Sequence, residues 1–249
     1  MSPKNDWWNE FFTGSWPEFF RQMKPDEVTD REVEFIRKVL RIEPGARVLD
    51  VPSGDGRLGI PLARSGVDVT GIELQPDLAD MANRTATQNS ASFTCRQQDM
   101  RDLPWWDDFD VDFCFWSSFG YFDDEGNKEF VEAVWRAIKP GAPFLIDTYV
   151  TEIVLRDFKT QDRTQDGNWI RLEERSWDYE QSRMNVDWTL SREDVSEKKH
   201  FSVRTYTYRE LCELLKEAGF GSFEAYDTVT GNAFGPDATR LALVARKIA

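Results

Sequence analysis

The glycine-rich turn in residues 48–59, VLDVPSGDGRLG, constrains the fold of this chain more than any other segment. Three of its first four residues, VLDV, are apolar, as is typical of a buried strand, and its end begins a helix. Gly54, Gly56 and Gly59 allow the backbone to turn sharply and to approach a ligand closely at the helix N-terminus. This strand–turn–helix pattern predicts an α/β protein that binds a nucleotide-type cofactor at the turn.

Strand and helix patterns alternate along most of the chain. Strands are predicted at 46–51, 67–72, 92–96, 111–116 and 143–149, and again near 223–229 and 240–246. Helical patterns lie between them, and Thr-x-x-Glu capping boxes at Thr29 and Thr207 predict two helix starts. This alternation is typical of a doubly wound parallel sheet.

The rhythm changes between residues 151 and 206, where no helical period is found. Residues 168–179, 184–190 and 200–206 alternate polar with apolar side chains, as half-exposed antiparallel strands do. We therefore expect a core domain of residues 1–150 and 207–249, with a three-stranded cap inserted at 151–206. The aromatic residues 1–25 are expected to form a helical lid on the core domain.

Composition excludes several classes of function. The formal net charge is −14, whereas binding to nucleic acid requires a basic surface. No apolar run reaches the roughly 18 residues of a membrane span, and the N-terminus does not resemble a signal peptide. Three scattered cysteines predict neither a disulfide framework nor a metal site. These features predict a cytoplasmic protein without nucleic-acid or membrane partners. They carry no signal for an oligomeric state.

The glycine spacing alone is compatible with two cofactors, a nicotinamide dinucleotide or S-adenosylmethionine. Glu73 ends the second strand and could bind ribose hydroxyls in either case. Asp50 distinguishes them, because a carboxylate just before the turn would repel a pyrophosphate but attract a sulfonium and an α-amino group. Asp99 and Met100, after the third strand, suit the amino group and the ring of an adenine. The residues therefore favour S-adenosylmethionine.

The ordered motifs resemble those of class I S-adenosylmethionine-dependent methyltransferases from about Arg47 to Lys247. The matching segments are VLDVPSGDGRLGIPLA, VTGIELQPDLADMA, CRQQDMRDLPW, DFDVDFCFWSSFGYF and IKPGAPFLIDTYV. The resemblance implies a seven-stranded sheet of order 3-2-1-4-5-7-6 with an antiparallel last strand. It also implies a cofactor site formed by Asp50, Ser53, Gly54, Gly56, Arg57, Glu73, Leu74, Asp99, Met100, Trp116 and Ser117.

Candidates for the acceptor side of the site are defined by their position alone. Strand ends and the insertion supply four polar groups as catalytic candidates: Tyr121, Asp147, Tyr149 and His200. The predicted lid and substrate residues are Trp7, Trp8, Phe11, Phe12, Trp16 and Phe234. Each also has a purely structural interpretation, since aromatic stripes on helices usually pack in cores.

We therefore expect a methyltransferase that moves the methyl group of S-adenosylmethionine to N or O of a small molecule by in-line displacement. The layout of lid and inserted strands resembles sugar-amine and glycine N-methyltransferases. A protein or peptide methyltransferase is the main alternative, because an acidic chain can attract a basic peptide. A non-catalytic S-adenosylmethionine-binding protein and an NAD-dependent oxidoreductase are further alternatives.

Overall fold

The computed structural model describes residues 6–193 and 195–248, which form eleven strands and eight helices. The strands are β1 (Arg47–Asp50), β2 (Asp68–Glu73), β3 (Phe93–Gln97), β4 (Val111–Cys114), β5 (Pro143–Thr148), β6 (Gln161–Asp166), β7 (Trp169–Asp178), β8 (Arg183–Arg192), β9 (Val195–Arg204), β10 (Phe220–Asp227) and β11 (Leu241–Lys247). The helices are α1 (Trp8–Phe11), α2 (Trp16–Met23), α3 (Asp26–Leu40), α4 (Gly59–Ala63), α5 (Pro76–Gln88), α6 (Asp124–Ala137), α7 (Thr151–Arg156) and α8 (Tyr208–Glu217). Residues 1–5 of the expected lid, 194 of the expected cap and 249 of the expected core domain lie outside the described residues.

Seven strands form the central sheet in the order β3-β2-β1-β4-β5-β11-β10. Strands β1 to β5 pair in parallel, and β11 runs antiparallel to both β5 and β10. With β10 and β11 counted as the sixth and seventh strands, the predicted order and the antiparallel last strand are confirmed. The parallel strands all end at one edge of the sheet, which is where ligands bind in such folds.

Helices cover both faces of this sheet, because its strands are apolar on both sides. On one face, buried residues of α3, α4 and α5 pack against side chains such as Val48 and Leu145. On the other face, α6 and α8 pack against side chains such as Leu49 and Ile146. The doubly wound α/β class predicted from the sequence is confirmed.

The inserted segment forms a second, antiparallel sheet in the order β6-β7-β8-β9. The expectation of three strands and no helix is wrong in two respects, because α7 opens the segment and β6 adds a fourth strand. The sequence of β6 is QDRTQD, which has no apolar residue, and the strand pairs with β7 in antiparallel register. A pattern of alternating hydrophobicity cannot reveal such a strand.

The N-terminal helices α1 and α2 pack on this second sheet. Trp7, Phe11 and Phe19 share one buried cluster with Trp169 and Trp188 of the sheet. Polar contacts strengthen the attachment, since Nζ of Lys199 donates to the carbonyl oxygens of Glu10 and Thr13 at 3.2 and 2.9 Å. The aromatic N-terminal stretch therefore forms one body with the inserted sheet.

The two predicted capping boxes have different outcomes. Thr207 accepts a hydrogen bond from the backbone N–H of Glu210, and the Glu210 carboxylate accepts one from the Thr207 N–H, so α8 begins as predicted. Thr29 instead lies inside α3, which begins after the extended residue Pro25. Glu32, the expected partner of Thr29, is buried and pairs with Arg57 at 2.7 Å. Glu32 therefore forms an ion pair with Arg57 and does not form a capping box with Thr29.

Candidate functional site

A cavity of about 660 Å³ lies between the carboxyl edge of the central sheet, the N-terminal helices and the inserted sheet. Its floor consists of the turn after β1 and the ends of β2, β4 and β5. Its other walls are aromatic side chains from α1 and α2 and the inward face of β7, β8 and β9. Residues from three separate parts of the chain therefore surround one space.

The turn after β1 has the backbone conformation that its glycines allow. Gly54 and Gly56 have φ angles of 57° and 80°, in the left-handed region that favours glycine. A Cβ atom on Gly54 would meet no atom within 4 Å, and Gly54 lines the cavity. A Cβ atom on Gly56 would lie 2.7 Å from Cδ1 of Ile60, and Gly56 lies behind the cavity wall. One glycine thus leaves room for a ligand, and the other leaves room for helix α4.

Asp50 lines the cavity at the end of β1 although its side chain is almost fully buried, with 2% of its surface exposed. Its Oδ2 atom has no hydrogen-bond partner among the described residues. Burial raises the pKa of this carboxyl well above the ordinary 3.8, because the charged form loses its solvation. A buried acid with one unpartnered oxygen fits a cofactor that brings its own positive charge.

Glu73 is held in place by the backbone around it. Its Oε2 atom accepts a hydrogen bond from the Gly54 N–H at 3.0 Å, and its Oε1 atom accepts one from the Gln75 N–H at 2.8 Å. Burial raises its pKa, and these hydrogen bonds oppose that shift. A carboxylate oxygen can accept more than one hydrogen bond. Glu73 therefore has acceptor capacity left for a pair of hydroxyl groups.

Asp99 and Met100 also line the cavity, beyond the end of β3. The guanidinium of Arg101 donates to Asp99, with Nη2 at 2.6 Å from Oδ2. Burial alone would raise the pKa of Asp99, but the hydrogen bonds and charge of Arg101 outweigh it and lower that pKa. An ionised Asp99 beside the buried thioether of Met100 combines an acceptor with an apolar surface, as an adenine ring requires.

Trp116 and Ser117 follow β4 with φ angles of 64° and 56°, which are unusual for residues other than glycine. Asp147 maintains this bend, because its Oδ2 accepts from the Trp116 N–H at 2.9 Å and its carbonyl oxygen accepts from the Ser117 N–H at 3.0 Å. Asp147 itself is fully buried behind the cavity wall, where Arg240 and Thr228 donate to its Oδ1 at 2.8 and 2.6 Å. The structure therefore places this catalytic candidate in a supporting position.

The other catalytic candidates divide into two groups. Tyr121 and Tyr149 line the cavity. The Tyr121 hydroxyl donates to Oγ of Ser118 at 3.3 Å, and burial raises its pKa, so this phenol stays protonated. His200 does not reach the cavity, because it lies on the outer face of β9 with its Nδ1 at 2.8 Å from Asp187. Tyr149 is 41% exposed and keeps contact with solvent.

Most of the predicted site residues therefore meet at this cavity. Those that line it are Asp50, Ser53, Gly54, Arg57, Glu73, Leu74, Asp99, Met100, Trp116, Ser117, Tyr121, Tyr149, Trp7, Trp8, Phe11, Phe12 and Trp16. Those that do not are Gly56, Asp147, His200 and Phe234. Phe234 stacks on Tyr208 with 5.8 Å between ring centres, away from the cavity.

Sequence reasoning missed six charged residues that line the cavity: Lys24, Asp55, Asp157, Arg171, Glu173 and Arg175. Lys24 follows α2, and its ammonium group lies over the ring of Trp116. The pKa of Lys24 is lowered to about 7, mainly by burial and also by the charges of Arg240 and Arg57, while the charge of Glu32 opposes the shift. Arg171, Glu173 and Arg175 lie at alternate positions of β7, and this spacing could have revealed them as one face of a strand.

The described residues contain no cluster of three or more His, Cys, Asp and Glu side chains suited to a metal ion. Of the helices in residues 6–193 and 195–248, none combines the length and the apolar character that a transmembrane span requires.

Comparisons with known proteins agree with this geometry. Residues 48–141 match the family model described as a methyltransferase domain. YqeM, a protein of Bacillus subtilis, is 29% identical over 185 residues, which cover 70% of this chain and 73% of YqeM. A structure of an S-adenosylmethionine-dependent methyltransferase from Clostridium acetobutylicum superposes with a TM-score of 0.81, 15% identity and coverage of 94% and 98% of the two chains.

The sugar N-methyltransferase KedS8 from a Streptoalloteichus species is also similar, with a TM-score of 0.71 and 21% identity. This match covers 94% of the present chain and 93% of KedS8. The whole chain therefore has the fold of S-adenosylmethionine-dependent methyltransferases, and residues 48–141 match a methyltransferase domain. The buried Oδ2 atom of Asp50, which has no hydrogen-bond partner among the described residues, and the open Gly54 position fit S-adenosylmethionine as the cofactor.

Proposed function

We propose that this protein transfers a methyl group to a nitrogen or oxygen atom of a small-molecule acceptor that binds between the central sheet and the inserted sheet. The observation that carries this proposal is the shared cavity, whose floor contains the cofactor motifs and whose other walls are the N-terminal helices and the inserted sheet. A space covered in this way suits a small molecule better than a polymer.

The proposal divides the chain into three functional parts. Residues 1–150 and 207–249 form the cofactor-binding domain, within which residues 1–25 act as a lid, and residues 151–206 act as a cap. In the cofactor site, Glu73 binds the ribose hydroxyls, Asp99 and Met100 bind the adenine, and Asp50 with the turn at Gly54 and with Trp116 and Ser117 surrounds the methionine part.

The sulfonium of the cofactor supplies a methyl group that is already electrophilic. The protein therefore contributes mainly by positioning the acceptor in line with the bond that breaks and by excluding water. Tyr121 and Tyr149 are the candidates for orienting the acceptor. The raised pKa of Tyr121 makes it a hydrogen-bond donor rather than a base at neutral pH.

An amine is the favoured acceptor within this proposal. The fold similarity to a sugar N-methyltransferase supports a small molecule with a nucleophilic nitrogen. Such an acceptor must bind as the neutral amine or lose a proton on the way to the product. Lys24, whose pKa is lowered to about 7, is close enough to neutrality to take up that proton.

The experiment is a turnover assay that measures S-adenosylhomocysteine formed from S-adenosylmethionine with panels of small amines, phenols and carboxylic acids. We expect product with at least one small acceptor, and much less product with the Glu73→Ala variant at the same cofactor concentration. Turnover restricted to basic peptides would support the protein methyltransferase alternative. Tight cofactor binding without product from any panel would support a non-catalytic binding protein.

A further inference from the structure

Three charged side chains on strand β7 form a cluster that faces the cavity from the cap. Arg171, Glu173 and Arg175 occupy alternate positions of the strand, so all three point to the same face of the sheet. All three line the cavity, on the wall contributed by the inserted sheet. None belongs to a motif that contacts the cofactor.

Glu173 is 4% exposed and is shared by the two arginines. Its Oε2 atom accepts a hydrogen bond from Nε of Arg175 at 2.8 Å. Its Oε1 atom lies 2.6 Å from Nε of Arg171, as an ion pair without the alignment of a hydrogen bond. One carboxylate therefore partly neutralises two guanidinium groups. Asp162, on the neighbouring strand, is 3.9 Å from Arg175 and adds only a distant contact.

The guanidinium of Arg171 has unused hydrogen-bonding capacity. A guanidinium carries five N–H donors. Among the described residues, the hydrogen bond found for this group is a weak one from Nη1 to the thioether of Met23 at 3.7 Å. Its plane lies over Trp188, with 4.7 Å from Cζ to the ring centre, and Nε1 of Trp188 also has no partner in the described part of the chain.

Partly buried donors without acceptors are costly, and a cluster that served only to hold the cap together would satisfy them within the protein. We propose that Arg171 and Arg175 bind an anionic group of the methyl acceptor, a carboxylate or a phosphate. Glu173 orients both guanidinium groups toward the cavity and leaves the pair with a net positive charge. The inference rests on the proposed function, because it assigns the cap wall to the acceptor.

The test compares matched probes on the protein loaded with S-adenosylhomocysteine. Benzoate is compared with benzyl alcohol, and glucose 6-phosphate with glucose, by calorimetry or ligand-observed NMR. We expect the anionic member of at least one pair to bind about tenfold more tightly, as a charge-assisted contact to an arginine provides. The pair that shows the preference distinguishes a carboxylate from a phosphate.

Arg171→Met and Arg175→Met are expected to reduce that preference to within about threefold and to leave the binding of the neutral probes and of S-adenosylhomocysteine unchanged. Arg163→Met is the matched control, because Arg163 is an exposed residue on the adjacent strand β6. Thermal melts identify variants that do not fold. In that case the salt dependence of the wild-type preference decides, since raising the NaCl concentration must weaken an ionic contact.

Equal binding of charged and neutral probes to the wild-type protein, or a preference retained in both arginine variants, would overturn the inference. Failure of the proposed function would be recognised by a different result. Loss of S-adenosylhomocysteine binding would refute the cofactor site, and the probe pairs can still be measured on the unloaded protein. Turnover of neutral acceptors alone would preserve the methyltransferase and refute the anion site.

Discussion

The two walls of the cavity carry different ionisable groups. On the wall formed by the central sheet, Asp50 and Glu73 are buried acids whose pKa values are raised by burial. On the wall formed by the inserted sheet, Arg171 and Arg175 share a single buried carboxylate. A cationic cofactor suits the first wall, and an anionic group suits the second. The two walls therefore favour reactants of different charge.

The walls also differ in how they are built. Asp50, Gly54 and Glu73 lie within one strand–turn–helix–strand unit, and the backbone of the turn donates directly to Glu73. The other wall requires β7, β8 and β9 to pair in register and α1 and α2 to return from the N-terminus. Substitutions on each wall can therefore separate local from long-range contributions to the site.

The largest effect is expected at Glu73. Glu73→Ala removes the acceptor for two hydroxyl groups and leaves the N–H groups of Gly54 and Gln75 without their partner. We expect the affinity for S-adenosylhomocysteine to fall about 100-fold, measured by calorimetry, because a lost charged hydrogen-bond acceptor costs about 1.5–3 kcal/mol. Asp68→Ala, at the exposed start of the same strand, is the control and should bind normally. Unchanged affinity in Glu73→Ala would remove the ribose assignment.

Substitutions at two glycines of the turn after β1, on the wall formed by the central sheet, distinguish an effect on cofactor binding from an effect on folding. Gly54→Ala places a methyl group in open space that the cofactor needs, so we expect about tenfold weaker binding and a stability loss of about 1–2 kcal/mol from the left-handed conformation. Gly56→Ala drives a methyl group into Ile60. We expect it to lose about 2–4 kcal/mol of stability with little change in the affinity of the folded fraction. Denaturant titration and calorimetry measure the two effects, and equal affinity losses would contradict the assignment.

Much of this wall could be predicted from sequence because its physical causes are local. Strand ends, glycine conformations and the acids at Asp50 and Glu73 follow from residues close to one another in the chain. The capping box at Thr207 was predicted correctly for the same reason, whereas at Thr29 the partner glutamate is taken by Arg57. Asp147 was predicted to be at the site by its position at a strand end, but its role depends on Arg240, distant in the sequence.

The cap wall could not be predicted because its causes are not local. Arg171, Glu173 and Arg175 read as the polar side of a half-exposed strand, which is correct only if water covers that side. The aromatic N-terminal helices cover it instead. The polar strand β6 carried no hydrophobic signal at all. Neither feature can be inferred until the pairing of distant segments is known.

A comparison of two neighbouring buried acids tests whether cofactor affinity depends on one carboxyl group or on the charge of the whole strand edge. Asp50 lines the cavity, whereas Asp112 on the adjacent strand does not, and neither oxygen of Asp112 has a partner among the described residues. Burial raises both pKa values well above 3.8. Each folded-state carboxyl then holds its proton more tightly than the unfolded chain does. The contribution of these two carboxyls to stability is therefore greatest below about pH 4 and falls as the pH rises through the interval between the unfolded and folded pKa values.

Asp50→Asn and Asp112→Asn each remove one buried carboxyl group and with it this decrease in stability at high pH. Both variants should melt at higher temperature than the wild type at pH 8 and show little difference at pH 4, by calorimetry without ligand. Only Asp50→Asn should bind S-adenosylmethionine more weakly, by about tenfold, because of these two acids only Asp50 lines the cavity. A binding loss of the same size in Asp112→Asn would mean that the affinity reflects the charge of the whole strand edge rather than one contact.

The smallest effect is expected at Lys199, and it tests whether the N-terminal helices are attached mainly to the inserted sheet or to the central sheet. Lys199 is a buried residue of β9 that pairs with Glu197 at 2.8 Å and donates to two carbonyl oxygens of the N-terminal segment. Lys199→Met should lower the free energy of local opening of residues 8–23 by about 1–2 kcal/mol, seen as about tenfold faster amide hydrogen exchange. Lys198→Met, whose side chain is exposed on the other face of β9, should exchange like the wild type. Equal protection in both variants would mean that Gln75, which donates to the carbonyl oxygens of Trp8 and Asn9, fastens these helices to the core wall instead.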